Sequence, residues 1–335
     1  MPLRIGSGHD GETGQRTRSA HRVARAVPLN ANTPVSPPLV SPPFVSIIVP
    51  AYNAEANIDA CVQSLLSLDY PRDRYEIIVV DNASTDDTAR ILAKFGGALR
   101  VLQERTRGPA AARNAGLRNA TYDLLAMTDA DCLVDAQWLR ELVAPLHHDK
   151  VAMVGGRILS VQPATAIERF GEEIHDHEAA ITRYVPPYVI TMNWASRRSH
   201  LESIGYFDER FLRAEDVELS YRFTQAGLTM AYAHGAIVSH HNERTLAGLF
   251  REAFDHGAHS RHLDVVHGDW LRAQFADAHG ARLMHVVARA ARELVTSDDR
   301  ARAWYRTVFN IGKELGKLMG AARYRVGHHT DHHER

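Results

Sequence analysis

VSIIVPAYNAE, residues 45–55, is the stretch on which the fold of this 335-residue chain turns. Val45, Ile47, Ile48 and Val49 make a β-branched apolar run of buried-strand length, and polar residues follow at once. The same grammar repeats three times downstream. YEIIVVD (75–81) runs into NASTDD, ALRVLQE (98–104) into RTRGPAAARN, and TYDLLAMT (121–128) into DADC. Helical spacing separates the runs. Ile58, Cys61, Val62, Leu65 and Leu66 fall on one face, with Asn53 or Asn57 as cap. STDDTARILAKF (84–95) predicts a second helix, with Ser84 or Thr85 as cap and Asp86 and Asp87 in its first turn. GPAAARNAGLRNA (108–120) predicts a third, with Pro109 in its first turn. Strands alternating with helices predict an α/β fold with a parallel, doubly wound sheet.

The second half is less regular. VAMVGGRI (151–158) and VITMNWASRR (189–198) read as strands, residues 166–180 as a helix, and HLESIGYFDERF (200–211) as a short helix and turn. AEDVELSYRFTQAG (214–227) reads as a helix stopped at Gly227, and LTMAYAHGAIVSHH (228–241) as a strand pair or one bent strand. From Leu246 the chain reads as helical, with Arg, Lys and His interleaved. Such helices could cap the site, lie on an anionic membrane or make a homodimer contact. Residues 1–43, rich in Gly, Arg and Pro, read as a flexible arm, and the terminal HHTDHHER as a frayed tail.

Composition excludes several classes. Charged residues make up 24% and the net charge is -1, so there is no basic footprint for nucleic acid. Cys61 and Cys132 cannot form a disulfide framework. No apolar run approaches the roughly 20 residues of a membrane span, and the N-terminus lacks a signal-like stretch. The expectation is a cytoplasmic protein, with peripheral contact at the inner face of the membrane left open.

In open α/β sheets ligands bind beyond the carboxyl ends of the strands. Four polar features fall at such ends here, in order. In TDADC, Asp129 and Asp131 lie two apart and can face one ligand, with Ala130 between them. Two such carboxylates repel each other unless a cation intervenes, and hard oxygen ligands suit Mg²⁺ or Mn²⁺ bridging phosphates. Asp81 closes the second strand, where its carboxylate can accept an N–H from a nucleotide base. Pro50, Ala51, Tyr52 and Asn53 would stand beside that base, and Glu55 could bond the ribose or a neighbouring loop. Arg113 and Asn114 lie one turn into a helix whose N-terminus suits an anion. Arg113 could pair with a phosphate or with Asp129. Glu215 and Asp216 open a later helix, as a dipole-favoured pair or as a proton acceptor. Of His240 and His241, on opposite strand faces, one can reach a metal, and His240 is preferred.

These residues resemble the inverting family 2 glycosyltransferases, which have the GT-A fold. The likeness runs from about Val45 to about Asn242. It rests on VSIIVPAYNAE, IIVVDNASTDDT, GPAAARNAG, TDADC, NWASRRSHLESIGYFDE and AEDVELSYR. The resemblance implies a GT-A domain over residues 44–245, with a nucleotide-binding half (44–135) and an acceptor half (136–245), followed by a helical C-terminal region (246–335). It implies that Asp81 recognises the base and Asp129 contacts the nucleoside or its phosphates. Asp131 is then the metal ligand, His240 or His241 completes the metal shell, Asp216 is the catalytic base and Glu215 shapes the acceptor site. The donor would be a nucleotide sugar, UDP before GDP or dTDP, and the acceptor a glycan or a lipid-linked hydroxyl. Two departures stand out. Ala214 replaces the Gly that many members carry before the acidic pair, and no Q-x-x-R-W follows, which disfavours a processive polymerase. A sugar nucleotidyltransferase would want a Gly-rich basic loop near the first strand, and VPAYNAEANI (49–58) has none. A silent binding scaffold would have lost carboxylates that this chain keeps.

Overall fold

The computed structural model describes residues 41–275, 292 and 299–327. The arm read over residues 1–43 lies outside them as far as residue 40, and so does the terminal HHTDHHER. Strands β1 (Val45–Ala51), β2 (Tyr75–Asp81), β3 (Arg100–Gln103) and β4 (Leu124–Thr128) form one parallel block in the order β3-β2-β1-β4. Ala51 stands opposite Asp81 and Ile48 opposite Met127. Parallel pairing in this register carries all four polar loops to one edge of the sheet.

The block is buried on both faces, which is why its strands read as continuous apolar runs rather than alternations. On one face, Ile47 and Val49 join Ile58, Cys61, Val62 and Leu65 of helix α1 (Ile58–Leu66) in one cluster. Burying those four side chains of α1 contributes roughly 1.5–3 kcal/mol for each large aliphatic. On the other face, Ile48 packs with Ala110 and Leu117 of helix α3 (Pro109–Asn119). A Cβ on Gly116 would overlap Ile48, so glycine there sets how closely α3 approaches β1.

Helix α2 (Thr88–Ala93) begins later than the capping pattern predicts. Neither Ser84 nor Thr85 caps it. Ser84 Oγ accepts the Asn53 N–H at 3.0 Å, Asn53 Oδ1 accepts the Thr85 N–H at 2.8 Å, and Glu55 Oε2 accepts the Asp87 N–H at 3.0 Å. Tertiary bonds to the β1 loop thus use the groups that local capping would have used.

The remaining elements are β5 (Cys132–Val134), α4 (Trp138–Val143), β6 (Val151–Ser160), α5 (Ala166–Ile174), α6 (His177–Thr182), β7 (Asn193–Arg197), α7 (Arg198–Ile204), α8 (Glu215–Gln225) and β8 (Thr229–His240). They extend the sheet to eight strands, β3-β2-β1-β4-β7-β6-β8-β5. β7 runs antiparallel to both β4 and β6, β6 and β8 are parallel, and β5 is antiparallel to β8. The sheet is therefore mostly parallel, not wholly so. The helix expected over 166–180 is two helices. Asp176 breaks it by capping α6, accepting the Ala179 N–H at 2.8 Å. The segment 228–241 holds one strand, β8, whose pairing with β6 shifts register between Gly156 and Arg157.

Helices α9 (Leu246–Phe275) and α10 (Arg300–Gly327) lie side by side. Gly312, Gly316 and Gly320 meet Phe250, Phe254 and Ala258 in turn, so the two helices run in the same direction. A Cβ at Gly316 or Gly320 would overlap a carbonyl of α9. Among the described residues no helix is long and apolar enough to cross a membrane.

Candidate functional site

A cavity of about 1790 Å³ opens at the strand-end edge. Arg113, Asp129, Asp131, Glu215, Asp216, His240 and His241 line it from the sheet side, and α9 and α10 face them. Chain topology explains the meeting. Asp131 immediately precedes β5, whose Cys132 stands opposite His240 in the antiparallel pair with β8. The Asp131 carbonyl accepts the His241 N–H at 3.3 Å, and Asp131 Oδ2 lies 3.4 Å from His240 Nε2. His240 therefore faces Asp131.

The tautomer of His240 follows from its other neighbour. Asn242 Nδ2 donates to Ser160 Oγ at 2.7 Å and to the Glu168 carbonyl at 3.1 Å. Its Oδ1 is thereby turned to His240 Nδ1, 2.8 Å away, and accepts that N–H. The neutral ring then presents the Nε2 lone pair beside Asp131, the arrangement in which an orienting partner prepares a metal-binding imidazole. Burial pushes the His240 imidazole down, but the hydrogen bond and charge of Asp131 outweigh it and hold the value at about 9. Without a cation, a proton shared toward Asp131 fills the same role. Asp131, His240 and an open cavity beside them fit a hard divalent ion. Among the described residues no three His, Cys, Asp or Glu side chains converge as a complete cage.

Arg113 is buried and donates to two carboxylates, Asp129 Oδ1 at 3.0 Å and Glu215 Oε1 at shorter range. Burial alone would push the guanidinium down, but those carboxylates raise it, so it stays charged. Of the two partners open to Arg113, phosphate or Asp129, the structure supplies Asp129 and adds Glu215. Glu215 is buried against Arg113, which leaves Asp216, among the described residues, as the member of the acidic pair without an ion-paired cation. Asp216 accepts the Val217 N–H at 2.8 Å. Burial first, and the Glu215 charge second, push its carboxyl up to about 7. Ala214, just before the pair, turns the chain into α8 with φ 62°, a left-handed conformation that suits Gly.

The base-side residues share the strand-end edge but do not line the cavity. Asp81 is 2% exposed, and its oxygens accept the Ser84 N–H at 3.0 Å and Gln103 Nε2–H at 2.9 Å. Tyr52 is half exposed, with the Arg107 guanidinium 5.3 Å from its ring centre. Pro50 and Ala51 end β1 beside them, and the exposed Asn53 and Glu55 side chains hold the 84–87 loop. Ala130 packs its methyl into the core. Asn114, expected near phosphates, is fully buried. Its amide bonds the Phe207 backbone and Glu209, and it ties α3 to the loop ahead of α8. At the second turn of α3 that side chain points into the protein rather than toward the helix N-terminus.

Sequence reasoning missed Asn242 and the glycine that admits it. A Cβ on Gly171 would overlap the Asn242 side chain. It also missed His175, edge-on to His240 at 5.2 Å between ring centres and pushed down by burial to about 3. Neither carries a local signal, since α5 brings both His175 and Gly171 across the sheet edge.

Comparison with known proteins places this arrangement. The family model "Glycosyl transferase family 2" matches residues 46–212. Glycosyltransferase AglE of Haloferax volcanii is 33% identical over 242 residues, 70% of this chain and 78% of AglE. The pre-mycofactocin glycosyltransferase of Mycobacterium tuberculosis is 31% identical over 243 residues, 67% of this chain and 48% of that protein. Among solved structures, the mannosyltransferase PcManGT from Pyrobaculum calidifontis, in complex with GDP-Man and Mn²⁺, superposes with a TM-score of 0.59 at 21% identity, over 84% of this chain and 91% of that one. This last likeness concerns the fold, an α/β GT-A architecture with added C-terminal helices. The chain belongs to the family 2 glycosyltransferases and is an enzyme that transfers a sugar from a nucleotide sugar.

Proposed function

We propose that this enzyme transfers its sugar with inversion, in a single metal-assisted displacement, from a nucleoside-diphosphate sugar to a hydroxyl of a glycan or lipid-linked acceptor. The observation that carries the reading is Asp216. Its carboxyl borders the cavity that also holds Asp129, Asp131 and His240, and it is lifted to about 7, where a carboxylate is a competent base near neutral pH. Glu215 could not serve as well, because Arg113 neutralises it.

In this mechanism Asp216 takes the proton of the acceptor hydroxyl as its oxygen attacks the anomeric carbon. The bond from that carbon to the donor phosphate breaks on the opposite face, and the nucleoside diphosphate leaves with the bonding pair. No covalent enzyme intermediate is needed. Asp131 and His240 would hold the divalent cation, Mg²⁺ or Mn²⁺. When bound, it supplies positive charge to the departing diphosphate. Arg113 acts indirectly, fixing Asp129 and Glu215 on either side of the reacting centre. Asp129, with the backbone at Ala130, faces the nucleoside and its phosphates, while Asp81 and Tyr52 meet the base. The donor is read as a UDP-sugar. Asp81 accepts an N–H, and uracil, thymine and guanine all offer one, so GDP and dTDP are the competitors.

Donor hydrolysis or transfer that needs Mn²⁺ or Mg²⁺, and that vanishes in Asp216→Asn with UDP binding intact, is the expected result. Undiminished turnover in that variant would remove Asp216 from the mechanism. Thermal-shift measurements against UDP, GDP and dTDP with Mn²⁺ identify the nucleotide, since a ligand at about 100 times its Kd stabilises by about 2.7 kcal/mol.

A further inference from the structure

The wall of the cavity opposite the sheet is strongly basic, and most of its cations are spent. Arg302 and Arg306 turn to Glu173, Lys317 to Glu314, Arg261 to Asp264 and Arg272 to Asp269. Three are not. Arg213 in the loop before α8, Arg251 on α9 and Lys313 on α10 all line the cavity, and among the described residues none makes an ion pair or hydrogen bond through its side chain. They come from three separate elements that face one cavity, and Arg213 and Lys313 both lie near enough to His256 for their charges to act on it. Lys313 is set in place where α10 lies directly on α9, its backbone filling the space that a side chain at Gly257 would occupy. Arg213 stands three residues before Asp216, which bounds their Cα separation at about 11 Å.

The electrostatics of the wall suit an anion. Burial pushes the Lys313 ammonium down, with Lys317 adding to the effect. Burial pushes the His256 imidazole down to about 4, and Arg213 and Lys313 add to that. The charges of Arg213 and Lys313 thus both reach His256, and a bound anion there would offset them. Four carboxylates of α9 and α10 line the same wall; Asp264 and Glu314 are held by Arg261 and Lys317, which leaves Glu252 and Asp255. Glu252 Oε1 is turned to the imidazoles of His175 and His256, and burial pushes its carboxyl up toward the neutral form.

We infer that the acceptor carries a phosphate ester, and that Arg213, Arg251 and Lys313 bind it in the cavity where Asp216 meets the acceptor hydroxyl. This rests on the reading of that cavity as the acceptor site. It narrows the acceptor from any hydroxyl compound to a phosphorylated one, either a lipid phosphate or a soluble sugar or polyol phosphate.

The test uses the full chain saturated with UDP and Mg²⁺, so that the donor phosphate positions are filled. Glycerol 3-phosphate and farnesyl phosphate in detergent micelles are titrated by calorimetry, with glycerol and farnesol as neutral counterparts. Both phosphates should bind saturably and the neutral compounds should not. The double variant Arg251→Gln/Lys313→Gln should weaken phosphate binding about tenfold or more with UDP affinity unchanged, and exposed Arg213→Gln should do the same in a variant that leaves the helix pair untouched. Tighter binding of farnesyl phosphate marks a lipid acceptor and equal binding a soluble one, and both support the inference. Equal binding of the neutral compounds, or full phosphate affinity in all variants, overturns it. Failure of UDP to bind would count against the transferase mechanism instead, and the phosphate titrations, run without UDP, would still decide the acceptor.

Discussion

Asp216→Asn keeps the shape of the side chain and removes its ability to take a proton. The carboxyl is lifted from the usual 3.8 to about 7 by burial and by Glu215. Between those values the folded chain holds a proton that the unfolded chain has released. Stability therefore falls as pH rises from about 4 to about 7 and stays reduced above. At about 1.4 kcal/mol per pH unit, the full penalty would be about 4 kcal/mol. Water in the open cavity relaxes around the charge, so about 1–2 kcal/mol is the expected share. Asn never ionises and escapes this cost. The variant should melt higher than the native enzyme at pH 8, by about 1.5–3 °C for a chain of this size, and the gap should shrink toward pH 5. Turnover should fall by about 10²–10⁴-fold at the same time. In the native enzyme the rate should climb with pH through about 7 and then level, as the base becomes ionised. Fluorimetric melting at both pH values, paired with a coupled assay for released nucleoside diphosphate, measures everything required. A melting gap that does not change with pH would refute the electrostatic argument, and retained turnover would refute the base.

Three further expectations follow from particular contacts. Ala214→Gly relieves a left-handed residue at φ 62°, so urea unfolding should show a gain of about 0.5–1 kcal/mol, and a loss would mean that the methyl packs usefully. Asn242→Ala frees the His240 ring, and calorimetric titration of Mn²⁺ in the presence of UDP should show about 10–100-fold weaker binding. Gly316→Val places a side chain against the Phe254 carbonyl, and should cost about 2 kcal/mol or more and expose the α9–α10 pair to limited proteolysis, unless the helices can slide apart freely.

How much of this was legible in one dimension depended on the range of the contacts involved. The nucleotide half reads well because strands β1, β2 and β4 are buried on both faces, which makes an apolar run stop abruptly at a polar loop. The same periodicity marked Ile58, Cys61, Val62 and Leu65 as the inward face of α1. TDADC and the acidic pair that opens α8 were visible as motifs. The resemblance implied how they divide their roles, but the contacts that distinguish them were not legible. Nothing local shows that Arg113 reaches across 102 positions to pair with Glu215 rather than with its neighbour Asp216. Asn114 looked like a phosphate contact because it sits near a helix start, yet its side chain faces Phe207. Asn53 and Glu55 looked like ligand contacts, yet each satisfies a backbone N–H of the next loop.

What the sequence by itself determined, then, is the strand–helix alternation of the first half, the edge where its loops gather and the carboxylates found there, because hydrophobic period and turn chemistry act over a few residues. Which carboxylate is neutralised, which histidine nitrogen is offered and which cations of α9 and α10 lack a partner among the described residues were decided only by tertiary structure. Those outcomes depend on strand order and helix contact between segments tens to hundreds of residues apart, and charge partners are set by distance in space rather than distance along the chain.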